Sequence, residues 1–213
     1  MNRRGIINNI ETDCKTVAIT FDDGPNPVYT PQVLEIFQEV SGNVTFYMIG
    51  EQMEKHPEIF EAVVEHGHEV GNHTYTHPKL TELSDNDCYS EIDRTDRLIR
   101  EMTGNKPLTF RPPYLDYNEQ VQSIVERFGY SVAGAVNMDA QDWEQPGVEH
   151  IYSKSLENVS NGSILLFHDG FGDRSQTIEA LRKLVAELDD QGYQFVTLTE
   201  LLNLPTNLSV KEK

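Results

Sequence analysis

Seven short runs of β-branched and apolar residues recur along the chain, at 17–21, 44–49, 68–71, 108–110, within 130–138, at 164–167 and at 195–198, and stretches of helical periodicity lie between them. Strands that alternate with helices predict a parallel sheet covered by helices. The punctuation agrees: Pro31 and Pro57 suit first helical turns, Ser84 and Asn118 suit N-caps, and Gly67, Gly129 and Gly192 suit helix ends. A helix opening at Ser175 and another around Ile151 complete the alternation. With 213 residues and no linker or repeat, the chain suits one domain. An open doubly wound sheet and a closed or nearly closed barrel both satisfy the pattern, and periodicity does not choose between them.

The first run, Val17 to Phe21, ends on Asp22-Asp23-Gly24-Pro25, so a buried strand delivers two carboxylates to its own carboxyl end. By itself Asp-Asp-Gly-Pro also reads as an ordinary turn. Ionisable and aromatic residues follow other strands in the same way: His73 and His77, Arg111 and Tyr114, Asp142 and Trp143, His168 and Asp169. In a parallel barrel these ends share one face, the face that carries barrel active sites.

His73-Thr74-Tyr75-Thr76-His77 spaces two imidazoles four residues apart, which on one helical turn sets them about 5–6 Å apart and lets both reach one metal ion. A pair of surface histidines would share that spacing. A carboxylate from Asp22 or Asp23 makes two His and one acid, a set that leaves positions open for catalysis, with the second acid free as a base. The same donor set describes iron(II) oxygenases, but the strand–helix alternation argues against their all-β folds. His168 suits an acid if Asp142 or Asp169 keeps it protonated.

Seventeen basic against 35 acidic residues give a formal charge of -18, which excludes nucleic acid and anionic lipid as natural partners and favours a neutral or cationic ligand. A solvated acidic surface accounts for the same balance. No stretch approaches bilayer length, and the first ten residues lack the apolar core of a signal peptide, so a cytoplasmic protein or one with its leader removed is expected. Cys14 precedes the first strand and Cys88 opens a helix at the opposite face, so two free thiols are expected.

Thr20-Phe21-Asp22-Asp23-Gly24-Pro25, His73-Thr74-Tyr75-Thr76-His77, Arg111-Pro112-Pro113-Tyr114, Asp139-Ala140-Gln141-Asp142-Trp143 and Leu165-Leu166-Phe167-His168 resemble, in order and spacing, the five motifs of the polysaccharide deacetylases, carbohydrate esterase family 4. The resemblance runs from about Lys15 to Leu202 and implies a distorted (β/α) barrel with about seven parallel strands. It divides the chain into an extension (1–14), a catalytic domain (15–203) and a tail (204–213).

Carried over residue by residue, it implies that Asp23, His73 and His77 ligate a divalent metal, zinc first and cobalt second. Asp22 matches the general base that activates the attacking water, Arg111 the residue that orients it, His168 the general acid and Asp142 the carboxylate that keeps the acid charged. Trp143 and Leu165 match the walls around the acetyl methyl, and the backbone N–H of Tyr114 matches an oxyanion donor. Many members carry glycine after that tyrosine; Leu115-Asp116 stand here instead, which places bulk and a charge beside the expected substrate groove.

The activity so implied is metal-dependent removal of N-acetyl groups from N-acetylglucosamine glycans. Chitin-type oligosaccharides come first on the charge of the surface, peptidoglycan second and acetylxylan third, and a non-catalytic glycan-binding relative is the remaining alternative. The expected partner is the acetylated glycan alone, with no nucleic acid and no membrane insertion; a monomer and a secreted or cell-envelope location are expected by resemblance.

Overall fold

The computed structural model describes residues 5–204. Its strands are β1 (Ile6–Ile7), β2 (Thr16–Asp22), β3 (Thr45–Met48), β4 (Glu69–Asn72), β5 (Thr109–Phe110), β6 (Ser131–Ala133), β7 (Ile164–His168) and β8 (Gln194–Phe195). Seven of them pair in the order β1-β6-β5-β4-β3-β2-β7, all parallel, and β8 adds to the start of β2. The helices are α1 (Thr30–Glu39), α2 (Gly50–Lys55), α3 (Pro57–Glu65), α4 (Asp85–Thr103), α5 (Glu119–Phe128), α6 (Val148–Glu157), α7 (Ser175–Asp190) and α8 (Leu198–Leu202). The sheet curls until Asn8 accepts the Ile164 N–H at 3.2 Å, which stitches the β1 end to β7. This is the distorted (β/α) barrel expected.

Strand β2, between β3 and β7, has all seven residues buried, as a strand covered on both faces requires. Period-2 alternation divides them. Val17, Ile19 and Phe21 join the core between sheet and helices with Phe37, Phe46 and Phe167, and the rings of Phe21 and Phe46 stack at 5.2 Å. Ala18 faces the barrel interior with Tyr47, Ala133 and Ile164. Thr20 and Asp22 share the parity of Ala18, so the same alternation that builds the core aims Asp22 inward. Each fully buried phenylalanine stabilises by roughly 1.5–3 kcal/mol.

Helix ends follow the local chemistry. The Ser84 hydroxyl accepts the Asp87 N–H at the start of α4, Asn118 accepts the Val121 N–H at the start of α5, and Gly104 and Gly129 end these helices at φ 71° and 70°, where a Cβ is disfavoured.

Several expectations are corrected. The run 195–198 is strand only through Phe195, because Thr197 forms a capping box with Glu200 and starts α8. Helix α2 is an addition to the expected pattern, since six residues carry too little periodicity to predict it. The segment read as an extension contributes β1, and its Ile7 and Ile10 are buried. Of the expected tail only Leu204 is described; 205–213 lie outside the described residues. Cys14 and Cys88 are free, as expected.

Candidate active site

Among the described residues, eight of the nine non-glycine residues with positive φ lie in the loops after β2, β4, β5, β6 and β7, Ser41 being the exception. Such backbone costs roughly 1–3 kcal/mol per residue and gathers where function dictates geometry. Asp23, at φ 75°, shows the benefit: by leaving the extended conformation it breaks the alternation, so two successive carboxylates face one cavity. Gly170 permits it, since a Cβ there would lie 2.1 Å from the Asp23 carbonyl oxygen.

Asp22 and Asp23 are nearly sealed from solvent, at 4% and 6% exposure. Their surroundings differ. The Arg111 guanidinium, fully buried and stacked over Tyr47, donates to Asp22 Oδ1 and to the Thr20 hydroxyl at 2.7 Å each, and to the Gly134 carbonyl at 2.8 Å. Asp22 is therefore held by a paired, fully engaged charge.

Asp23 faces His73 and His77 instead. Its Oδ1 is 3.5 Å from His73 Nε2 and 3.1 Å from His77 Nε2, and the two rings are 5.0 Å apart. Burial by itself would raise the Asp23 pKa; the adjacent His73 and His77 outweigh it and hold the carboxyl below the usual carboxylate range. His73 Nδ1 donates to the Arg111 carbonyl at 2.7 Å, which fixes the ring with Nε2 turned toward Asp23. Despite the 3.1 Å approach of His77, the angles are not those of a hydrogen bond, and Oδ1 of Asp23 is a buried acceptor without a donor. One donor atom from each of Asp23, His73 and His77 lies within 4.8 Å of the others. An orphaned carboxylate oxygen beside two imidazole nitrogens fits a divalent cation with open positions.

The histidine pair does not ride on a helix. Residues 73–77 form a loop in which Thr74 and His77 have φ 66° and 63°, so the convergence owes nothing to helical spacing.

Across the cavity, His168 Nδ1 donates to Asp142 Oδ1 at 2.8 Å, and the Thr177 hydroxyl donates to Asp142 Oδ2 at 3.1 Å. Burial alone would lower the His168 pKa; the Asp142 carboxylate, with Asp22 and Asp23, more than reverses this and pushes it up to about 9. Asp142 rather than Asp169 is thus the partner. Asp169 is fully buried and accepts from Thr30, and burial pushes its carboxyl up to about 7.

The cavity holds about 320 Å³, and apart from the ionisable groups its wall is Tyr114, Leu115, Met138, Trp143 and Leu166. Leu165 is not among them. It packs in the core under the helices, because on β7 its side chain points opposite to those of Leu166 and His168. Trp143 meets the His168 ring edge-on at 5.6 Å. Asp116 turns away, accepting from the Thr81 N–H and hydroxyl at 2.8 Å each, so Leu115 brings bulk to the cavity and Asp116 brings no charge. Leu166, Met138 and Thr20 were missed; counting by twos from His168 and Asp22 finds the first and last, while no local signal marks Met138. A slightly larger hollow, about 340 Å³, opens at the other end of the strands, but its Glu69 is spent on Thr45, Thr109 and Thr199.

Residues 9–133 match the model of the polysaccharide deacetylase family. The chain belongs to that family. This polysaccharide deacetylase is 42% identical to a peptidoglycan-N-acetylglucosamine deacetylase of Bacillus cereus over 88% of each chain. It is 34% identical to a chitooligosaccharide deacetylase of Azorhizobium caulinodans, over 84% of this chain and 90% of that one. A family 4 acetyl xylan esterase of Clostridium thermocellum, solved with a cobalt ion, superposes at a TM-score of 0.81 with 32% identity, covering 88% and 90% of the two chains. Longer peptidoglycan deacetylases extend beyond this one, which spans 40% and 39% of two of them. Membership of this family supports a hydrolytic deacetylase of acetylated glycans. No helix among the described residues is long and apolar enough to cross a membrane.

Proposed function

We propose that the chain is a metal-dependent hydrolase that removes the acetyl group from N-acetylglucosamine units of a glycan. The observation that carries this reading is two paired groups on one cavity, Asp22 held by Arg111 and His168 held protonated by Asp142, beside the Asp23, His73 and His77 donor set. A divalent cation held by those three residues, zinc or the cobalt seen in the esterase relative, would supply Lewis-acid polarisation of the acetyl carbonyl.

The chain's own residues do the rest. Asp22, aligned by Arg111, takes a proton from water as its oxygen bonds to the acetyl carbon. The backbone N–H of Tyr114 donates to the developing oxyanion. His168 then gives its proton to the glucosamine nitrogen as the C–N bond breaks, and acetate and a free amine leave. Trp143 and Leu166 enclose the methyl group and exclude larger acyl groups. An amine must be protonated to depart, which gives the charged His168 its task; the alkoxide of an ester needs less help.

N-acetylglucosamine is the unit shared by the substrates for which the 42% and 34% identical relatives are named, and peptidoglycan leads chitooligosaccharides on that difference in identity, reversing the order favoured by surface charge. The test is acetate release from peptidoglycan, chitooligosaccharides and acetylxylan by chelator-stripped protein, before and after zinc or cobalt is restored. Release only after metal is restored, fastest from N-acetylglucosamine polymers, is expected. A preference for acetylxylan would overturn the substrate, and binding without acetate release from any of them would make the chain a glycan-binding relative.

A further inference from the structure

The residues between the two histidines face away from the cavity, and a second set of side chains holds them. Glu91, on α4, accepts the Tyr75 N–H at 3.0 Å and the Thr76 N–H at 2.8 Å on Oε2, and the Thr76 hydroxyl at 3.0 Å on Oε1. The Tyr75 ring is buried beneath the loop; its hydroxyl donates to Glu54 at 2.5 Å, and the Arg94 guanidinium lies 3.4 Å from its centroid. From the other side, the Gly50 and Glu51 N–H groups at the start of α2 donate to the Thr74 and Tyr75 carbonyls at 3.0 Å each. A Cβ at Gly50 would lie 2.4 Å from the Tyr75 ring, so glycine lets the two elements close.

This bracing meets a need of the loop. Thr74 and His77 both adopt left-handed backbone, which a β-branched residue rarely takes, and the Thr74 hydroxyl accepts the His77 N–H at 3.1 Å. A loop bent twice against its preference relaxes unless its surroundings over-determine it. Glu91 is one acceptor group gathering three donors from the two residues just before His77, more than any other side chain offers them.

We propose that Glu91 is a positioning residue for His77, holding Tyr75 and Thr76 so that His77 Nε2 faces Asp23 Oδ1 in a geometry ready for the cation. This rests on the reading of Asp23, His73 and His77 as metal ligands. Groups behind a metal ligand typically alter affinity ten- to a hundredfold when removed.

The experiment measures zinc and cobalt affinity by competition with a chromogenic chelator, together with thermal unfolding of the chelated protein. Glu91→Gln keeps the length but presents an amide N–H2 to a set of donors, and should weaken metal binding about ten- to a hundredfold with little change in the chelated protein's Tm. Thr76→Val, which removes one of the three bonds, should weaken it roughly two- to fivefold and decides the matter if Glu91→Gln fails to fold. Glu101→Gln, an exposed position on the same helix, should leave affinity unchanged. Affinity within twofold of the parent for Glu91→Gln, or for Thr76→Val where the first cannot be measured, would overturn the assignment. A parent that takes up no metal would instead overturn the reading of the site itself.

Discussion

Asp142 holds His168 twice, accepting its ring Nδ1–H on one oxygen and its backbone N–H on the other, each at 2.8 Å. The two bonds fix ring and backbone together, so Nε2 is the atom left to face the cavity. With its pKa raised from 6.5 to about 9, His168 is charged in the folded protein across neutral pH.

A pH dependence follows from that direction of shift. The pairing contributes stability that is fully present below pH 6.5 and is lost as pH rises through about 9. Under the proposed mechanism kcat/KM falls over the same upper limb. Asp142→Asn should move that limb down by about one unit or more, measured from pH–rate profiles on a soluble acetylated oligosaccharide. An unmoved limb would detach His168 from the acid role.

Asp22 and Asp23 are neighbours with separable parts. Asp22→Asn should retain metal while kcat falls by about 10²- to 10⁴-fold, and Asp23→Asn should weaken metal binding directly. Asp22→Asn also leaves the buried Arg111 without its counter-charge, a loss on the order of 3–5 kcal/mol visible in chemical denaturation. Equal loss of metal in both variants would contradict the division.

Leu165 and Leu166 should behave oppositely. Leu165→Ala removes core and should cost roughly 2–5 kcal/mol of stability with acyl preference unchanged. Leu166→Ala opens the cavity wall and should raise turnover of propionylated relative to acetylated substrate. Acyl preference that follows Leu165 would reverse the placement.

Gly170→Ala would drive a methyl group into the Asp23 carbonyl, 2.1 Å away. A clash with backbone has no rotamer escape, so a loss of about 1–3 kcal/mol or more is expected, with metal affinity falling as Asp23 shifts. Unchanged calorimetry and metal titration would show that the turn has slack.

The strand–helix alternation, the caps at Ser84 and Asn118 and the delivery of Asp22, Arg111 and His168 to strand ends were legible in the sequence because each depends on neighbours within a few residues. Sequence also carried the five motifs, and with them the family. What it left open needed contacts between distant segments. Residues 73–77 form a loop rather than a helical turn because α2 and Glu91 capture their backbone groups from 15 or more positions away. Leu166 rather than Leu165 lines the cavity because the register of β7 against β2 places Leu166 opposite Thr20, and a match by motif carries no facing direction. Asp142 rather than Asp169 pairs with His168 because Thr30, on α1, draws Asp169 away. Local chemistry determined which elements form and which groups they carry; only packing decided where each side chain points, since an inward and an outward residue one position apart differ in nothing but parity until the sheet curls around them.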